Sequence, residues 1–571
     1  MPRRFASCCA LTLLAVMIGV TDARAQAVLG PQDDALVLPR GVLRVRVLNQ
    51  WTDFNERYGL GTPNRRAGAL EPLGIDFNLD TVGLEQFPNL ARVQSGLRNL
   101  TGMDEFSLSL GKTVVNSNVS VIATPIVLEA GISKRFSVGL LVPYVRTRNT
   151  IFFNVNPAAR EGNTGFNPTL SANPAARLRN DTLINQFAAA ATALTGTLVF
   201  CQANPGAPNC GNINAQRATA LSLIASANKF AAGVDTLYGS SGNNGSPFVP
   251  IAGTDAALAI EARTAAFRNL YAQFGVRAIT LSGPGAAPSR LTLPDAQRIL
   301  SDPIFGVSAS PLRTVERSHI GDIDLGVKAS LWDTFERAGK SRMKPSGMNY
   351  RLAAAAVYRF GTGQQDAAND FVDIGTGNGQ NDVEFRGFAD VLVGSHFWTS
   401  FIARYNFQLS DETEVRITDQ PNKRLAAAYR QRSVDRDLGD ISEVEINPRW
   451  VFNNYFSATG HYFFRMKRPD EYRGRFPVDG ATTGFGDITL DASTLNQETF
   501  FREHRLGFGA AFSTIGAFEQ GKARLPLEIT YFHFQTTKGE GGNLPKLFSD
   551  QIQIRIYARL FGGKEADVVK D

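Results

Sequence analysis

Five histidines, His319, His396, His461, His504 and His533, are the side chains of this 571-residue sequence best suited to proton transfer near neutral pH. His461 lies two and four residues beyond Thr459 and Ser457 and follows the acid pair Glu443 and Glu445. A hydroxyl, an imidazole and a carboxylate brought together would suit ester hydrolysis. Alternation around His461, however, turns it to the same side as neighbouring charged residues, so it reads as polar filling of an interior and no enzyme is expected. Gly516 to Ala523 has the G-x4-G-K spacing of a phosphate loop, but Ala523 stands where a Ser or Thr would hold magnesium. The segment joins two strand-like stretches and reads as a turn. Asp366, Asp370, Asp373 and Asp382, interleaved with Gly375, Gly377 and Gly379, offer oxygens to calcium without EF-hand spacing, and solvated acids are the simpler expectation. Neither a metal site nor a cofactor is expected.

One constellation exceeds these in size. Arg404, Arg449, Arg465, Arg505 and Arg555 share an alternating face with Glu384, Asp390, Glu443, Glu445 and Glu528, and Arg351, Arg359, Arg386, Glu503 and Arg559 continue it. Ladders of both signs line water-filled pores, and they also neutralise one another as a packed filling. The ten named first are the candidate selectivity residues.

Strands must position them. From Gln551 to Phe561, Ile552, Ile554, Ile556, Ala558 and Leu560 alternate with Gln553, Arg555, Tyr557 and Arg559, a period of two with one apolar and one charged face. The same pattern recurs in Ala523–Tyr531, Arg505–Phe512, Phe456–Met466, Ser400–Leu409, Val383–Val393 and Ile323–Leu331. Long strands with an uncharged face, aromatic ends and a charged second face are what a closed transmembrane barrel requires. Connections alternate too: short near Ser133–Arg135, Gly394–His396, Asn453–Asn454 and Gly516–Gly521, somewhat longer at Gly339–Ser346, and long and polar at 361–382, 410–440, 469–497 and 537–549. Short periplasmic turns and long external loops follow that rule. The expectation is an all-β antiparallel barrel of about 14 strands, if Leu73, Ile75, Phe77 and Leu79 form one, with 12 as the alternative.

The N-terminus reads as an export signal over residues 1–25: Arg3 and Arg4, the apolar run Leu11–Val20, then Ala23-Arg24-Ala25 before Gln26. Its removal takes three arginines and Asp22 with it, lowering the formal charge from +6 to +4, which leaves no nucleic-acid footprint. Cys8 and Cys9 go with the signal, and Cys201 and Cys210, nine apart in a chain bound for an oxidising compartment, are expected to form a disulfide. Residues 26–153 and 313–561 hold the strands, and 562–571 form a tail. Between them, 154–312 lose the alternation; Leu183–Leu198, Ala215–Leu237 and Asp255–Phe274 read as helices of one external insert. Glu85–Leu100 reads as a short helix at the periplasmic rim. With only Gln26 to Arg40 ahead of the strand at Val42, a TonB-dependent receptor, which carries a plug domain there, is not expected.

Phe136-Ser-Val-Gly-Leu-Leu-Val-Pro143-Tyr144-Val145, Gly321-Asp322-Ile-Asp-Leu325-Gly326, and Phe360-Gly-Thr-Gly363 with Asp366 resemble segments of the outer-membrane proteins named for phenol degradation by the meta pathway. The resemblance covers Phe106–Phe153 and Arg313–Phe561, with the insert between its first two segments. It implies a barrel passing small, often aromatic, molecules, and carries no site residue.

The expected function is passive passage of small solutes, some hydrophobic or aromatic, through the cell outer membrane, with outer-membrane lipid as surroundings and the barrel assembly machinery as a biogenesis partner. The alternatives are a closed barrel displaying the insert and, further off, an outer-membrane hydrolase.

Overall fold

The computed structural model describes residues 17–19, 22–24, 33–59, 68–158, 161–170, 174–334, 347–420, 423, 425–519 and 521–559. Twelve antiparallel strands close a ring: β1 (Val42–Phe54), β2 (Thr113–Gly131), β3 (Phe136–Val155), β4 (Ile323–Asp333), β5 (Met348–Phe360), β6 (Asp382–Val393), β7 (Phe397–Gln408), β8 (Ile441–Val451), β9 (Phe456–Lys467), β10 (Phe501–Ser513), β11 (Leu527–Glu540) and β12 (Phe548–Arg559), with β12 pairing β1. Closure leaves none of these strands as an open edge, the condition for backbone to sit in hydrocarbon. The count is the 12 of the alternative, not 14. Leu73–Phe77 form a 3-10 helix rather than a strand: Leu73, Gly74 and Phe77 are buried, so the apolar spacing serves one helical face.

Each strand keeps the alternation of its sequence. In β6, Asp382, Glu384, Arg386, Phe388 and Asp390 are buried inside while Phe385 is exposed outside; in β10, Leu506 and Phe508 are 52% and 62% exposed while Arg505 is buried. Exposure of that much apolar surface on a closed wall marks it as lipid-facing. Aromatic contacts gather at its two ends. Trp332 stacks on Tyr350 at 6.4 Å and Tyr455 on Phe512 at 6.1 Å at one, and Tyr358 meets Phe360 at 4.8 Å and Tyr405 meets Phe407 at 4.5 Å at the other. The ten-residue span from Tyr350 to Phe360 covers roughly 25 Å along the barrel axis, the height of an outer-membrane apolar band.

β2 and β3, 19 and 20 residues long, rise beyond the other strands, and the short strand Val315–Ile320 pairs with β3 above a break at Gly321–Asp322. The break falls where Pro125 and Pro143 face each other and neither can donate to the ladder; Gly321 N–H donates to the Pro143 carbonyl at 2.8 Å.

The insert is helical: α2 (Pro174–Ala203), α3 (Cys210–Ala215), α4 (Arg217–Tyr238), α5 (Asp255–Gln273) and α6 (Leu293–Ser301) follow α1 (Ala91–Thr101) in the chain. Phe187, Phe230 and Phe267 pack at 5.3–5.7 Å between centroids in its core, and Cys201 and Cys210 are disulfide-bonded at the α2–α3 turn. α1 does not sit at the periplasmic rim. β1 and β2 are consecutive barrel strands joined at their outer ends, so everything between them is external, and α1 packs against α4 and α5. The short inner connections at 133–135, 394–396 and 453–454 are turns as expected, and the phosphate-loop spacing falls on a turn with a five-residue helix, Ile515–Glu519. The turn at 339–346, the signal's apolar run Leu11–Val20 apart from residues 17–19, and the tail lie outside the described residues.

Candidate functional site: the barrel lumen

Inward positions of the strands bring the ten candidate charges to the lumen and pair all of them. Arg404 donates to Glu445 at 2.6 Å and Glu443 at 3.2 Å, and Arg465 donates to Glu443 at 2.6 Å, one cluster across β7, β8 and β9. Arg449 of β8 and Arg555 of β12 share Glu528 of β11, at 3.4 and 3.3 Å. Arg505 chelates Glu503 at 2.6 and 2.7 Å. Arg359 holds Asp324 at 2.9 Å, Asp382 at 3.2 Å and Glu384 at 3.5 Å, while Arg386 also binds Glu384. Asp390 pairs with Arg351 at 3.2 Å. The constellation is therefore a salt-bridged lining. Removing one partner strands another: Arg404→Met leaves Glu445 without its cation and should cost about 3–5 kcal/mol of stability, read as an earlier denaturant midpoint with unchanged steepness.

The lumen is not charged all round. Leu48 of β1, Val121, Ala123 and Val127 of β2, Leu141 and Val145 of β3, and Phe532 and Phe534 of β11 form one buried apolar cluster. It faces the charged strands β4–β10. His461 lies where the halves meet, with Phe463, Phe532 and Phe534 at 6.3, 6.5 and 5.8 Å and Nδ1 bonded to Asn447 Oδ1 at 2.6 Å. Several buried amides, including both polar atoms of Gln551 on β12 and Oε1 of its cross-strand neighbour Gln50 on β1, have no hydrogen-bond partner in the protein. Such groups need water or a polar solute.

Sequence reasoning missed what fills the inner end. The chain ahead of β1 turns into the barrel: Ala35 N–H donates to Asp390 Oδ2 at 3.1 Å, Lys328 Nζ reaches Asp33 at 3.5 Å and the Asp34 carbonyl, and Ala35 packs with Ala353, Phe388 and Ile402. Leu38 is buried as well. Beside them Arg44 and Arg46 of β1 bind Glu129 at 2.9 and 3.2 Å. The only sequence signal was the Asp33-Asp34 pair set just before a first strand whose inward residues are arginines.

The outer end carries the glycine-rich loop 361–381. Ile374 joins the apolar lumen cluster, and the Ile374 and Val372 carbonyls accept from Thr147 Oγ1 and Asn149 Nδ2, both at 2.9 Å. Its base is built from two of the signature segments. Thr362 Oγ1 donates to the Gly321 carbonyl at 2.7 Å, and Asp322 accepts from the Gly363 and Asn378 N–H groups at 2.8 and 3.1 Å. A Cβ on Gly377 would stand 2.6 Å from the Asp322 carboxylate, so the glycine is what permits the approach. Burial pushes the Asp322 carboxyl up to about 6, against the lowering from those N–H groups and from Arg359. The acids considered for calcium are spent elsewhere: Asp366 accepts from Gly375 N–H, Asp373 from Ala367 N–H and Arg317, and Asp382 pairs with Arg359. Among the described residues no group of three His, Cys, Asp or Glu side chains is placed to hold a metal ion.

The five histidines sit apart from one another, each with its own hydrogen-bond partner. His533 Nδ1 and Tyr531 OH both bond Asp550 Oδ1 at 2.8 Å on the lipid-facing wall, and the rings near His533 are Phe508 and Phe548. His504 meets Tyr462 OH at 2.9 Å, while His319 and His396 bond backbone carbonyls. Among the described residues none of the five imidazole rings is hydrogen-bonded to a serine, threonine or cysteine side chain.

No family model matches the chain, and no curated protein matches it. Among solved structures it is similar to an outer membrane channel from Pseudomonas putida F1, at 8% identity over 92% of this chain and 99% of that one, with a TM-score of 0.37. It is also similar to the P. putida toluene transporter TodX, at 10% identity over 91% and 90% with a TM-score of 0.22, and to a Pseudomonas aeruginosa FadL homologue, at 8% over 97% and 100% with a TM-score of 0.24. At these scores the likenesses carry no assignment, and what the chain does has to be argued from its own lumen.

Proposed function

We propose that this chain is an outer-membrane barrel that passes small solutes passively, with small hydrophobic or aromatic molecules favoured. The observation that carries this is the divided lumen: within a closed, lipid-facing wall, a continuous apolar surface from Leu48 to Phe534 runs beside a self-neutralised polar one. A hydrocarbon or phenol can keep its ring on the first and direct a hydroxyl to the second, whereas an ion must break paired charges to be solvated there.

The test is entry of the apolar dye N-phenyl-1-naphthylamine into cells whose outer membrane otherwise excludes it. Expression of the protein should speed dye uptake, and Phe534→Lys, which puts a charge on the apolar track, should return it to the vector rate with the barrel still folded. Uptake no faster than the vector control would sink the proposal. The candidates Arg404, Arg449, Arg465, Arg505 and Arg555 are proposed to set selectivity by excluding ions, so neutralising Arg449, the one among them that is bonded to Ser457 as well, should raise cation leak more than dye entry.

A second reading, a barrel closed at rest that displays the insert, is favoured by Asp33–Leu38 lying in the lumen. It predicts that deleting Thr169–Ala287 leaves permeability at its starting level and abolishes binding to a surface partner.

A further inference from the structure

A second concavity lies outside the lumen, where the insert meets the raised ends of β2 and β3. α6 begins at a capping box, with Thr292 and Asp295 exchanging hydrogen bonds, and turns Ala296, Ile299 and Leu300 to one side. Phe153 faces them from β3, and Phe77 and Phe87 close the third side from the segment between β1 and β2. Mouth included, the space is about 500 Å³.

Its polar groups are already used. Thr113 Oγ1 donates to the Phe77 carbonyl at 2.7 Å and accepts from Leu79 N–H at 3.3 Å; Lys112 Nζ is paired with Asp80 at 2.6 Å; the Gly111 carbonyl accepts from Val82 N–H at 2.7 Å. Water entering would find few partners in a wall that is almost wholly apolar, and apolar hollows take up benzene or xenon more readily than polar solutes. The lumen differs on this point: the hollow beside Gly139 and Gly326 is lined by Arg46, Lys328 and Asp33 and would hold water or a polar group.

We propose that the pocket between α6, Phe153 and Phe87 is an external binding site for an uncharged single-ring hydrocarbon, taken up before the barrel is entered. A charged or strongly hydrogen-bonding solute is refused because nothing in the wall replaces its water. The role in uptake rests on the passage proposed above; the binding chemistry does not.

The experiment is therefore binding without transport. Hexafluorobenzene is titrated into the full-length protein in nanodiscs and followed by fluorine NMR against empty nanodiscs. The expected result is a protein-dependent bound signal that falls at least fivefold in Ala296→Trp, which fills the pocket, and survives in Gly326→Leu, which fills the lumen hollow. Loss in Gly326→Leu with retention in Ala296→Trp would place the ring in the lumen and overturn the proposal, as would no signal above nanodiscs. Should Ala296→Trp fail to fold, crystals of the unaltered protein pressurised with xenon decide the matter: density against Ile299 and Phe153 is expected, and none there sinks the site. Binding retained in a protein that does not speed dye entry would refute the passage and leave the site standing.

Discussion

Replacing Asp33–Leu38 with a glycine-serine stretch of equal length should raise single-channel conductance severalfold and make it anion-selective. The inner end of the lumen is walled by Arg44, Arg46, Lys328 and Arg351, and the wall itself offers Glu129 and Asp390 against them. Asp33 and Asp34 supply the balance, and the chain carrying them fills the volume as well as the charge: Ala35 and Leu38 are 3% and 1% exposed. Without them the same cross-section holds water and an excess of fixed cations, which concentrates anions locally. Paired Asp33→Asn and Asp34→Asn should act differently, since the segment remains but its contact to Lys328 weakens; brief openings at unchanged maximal conductance are expected. Planar-bilayer recordings separate the outcomes. Identical conductance and selectivity with and without the segment would mean that it is no barrier.

This segment was also the part of the site least legible in the sequence. The strands could be read because the period of two is local: Phe456, Ala458, Tyr462 and Phe464 face out and Ser457, Thr459, His461 and Arg465 face in, as alternation predicted. Cys201 and Cys210 were readable for the same reason, their spacing and compartment being written in one short stretch. Asp33 is recognised by Lys328, almost three hundred residues on, and Ala35 by Asp390, 355 residues on. No periodicity reports such a contact. The strand count failed at Leu73–Phe77, where Leu73 and Phe77, four apart, suit a helical face as well as a strand edge. Counted forward from β1, a strand at Leu73–Phe77 would return the chain to the periplasmic side ahead of α1, whereas with β1 and β2 consecutive α1 lies at the outer end. The charges were placed on the correct face, yet whether they line water or each other depended on cross-strand register. Arg404 reaches Glu443 and Glu445 because β7 and β8 pair Arg404 with Glu443, a fact of the sheet rather than of either strand.

The signature segments had been visible as patterns without a reason, and the reason yields the second large effect. Asp322 sits at the outer end of β4, buried, with the Gly363 and Asn378 N–H groups on its two oxygens and Gly377 against it. Burial is the dominant influence on it, with nearby Asp382 acting in the same direction, and its carboxyl is held near 6 rather than at the ordinary 3.8. The folded loop thus favours the protonated acid. Its contribution to stability is complete below pH 3.8 and is lost as pH rises through about 6, a change bounded by about 3 kcal/mol for a shift of this size. Asp373, also raised by burial, titrates in the same sense within the same loop, with Arg317 at 2.6 Å opposing it. Because the loop carries Ile374 into the outer mouth of the lumen, opening it should both expose amides and widen the passage. Hydrogen exchange at Gly363 and Asn378, corrected for the intrinsic effect of pH, should accelerate by up to about a hundredfold between pH 3.5 and 7.5 in the unaltered protein, with about tenfold of that above pH 5. In Asp322→Asn, neutral throughout, that dependence should flatten to the part contributed by Asp373. Equal slopes in the two proteins would show that Asp322 does not set the loop's opening, and the lock at Gly321–Gly363 would then act through packing alone.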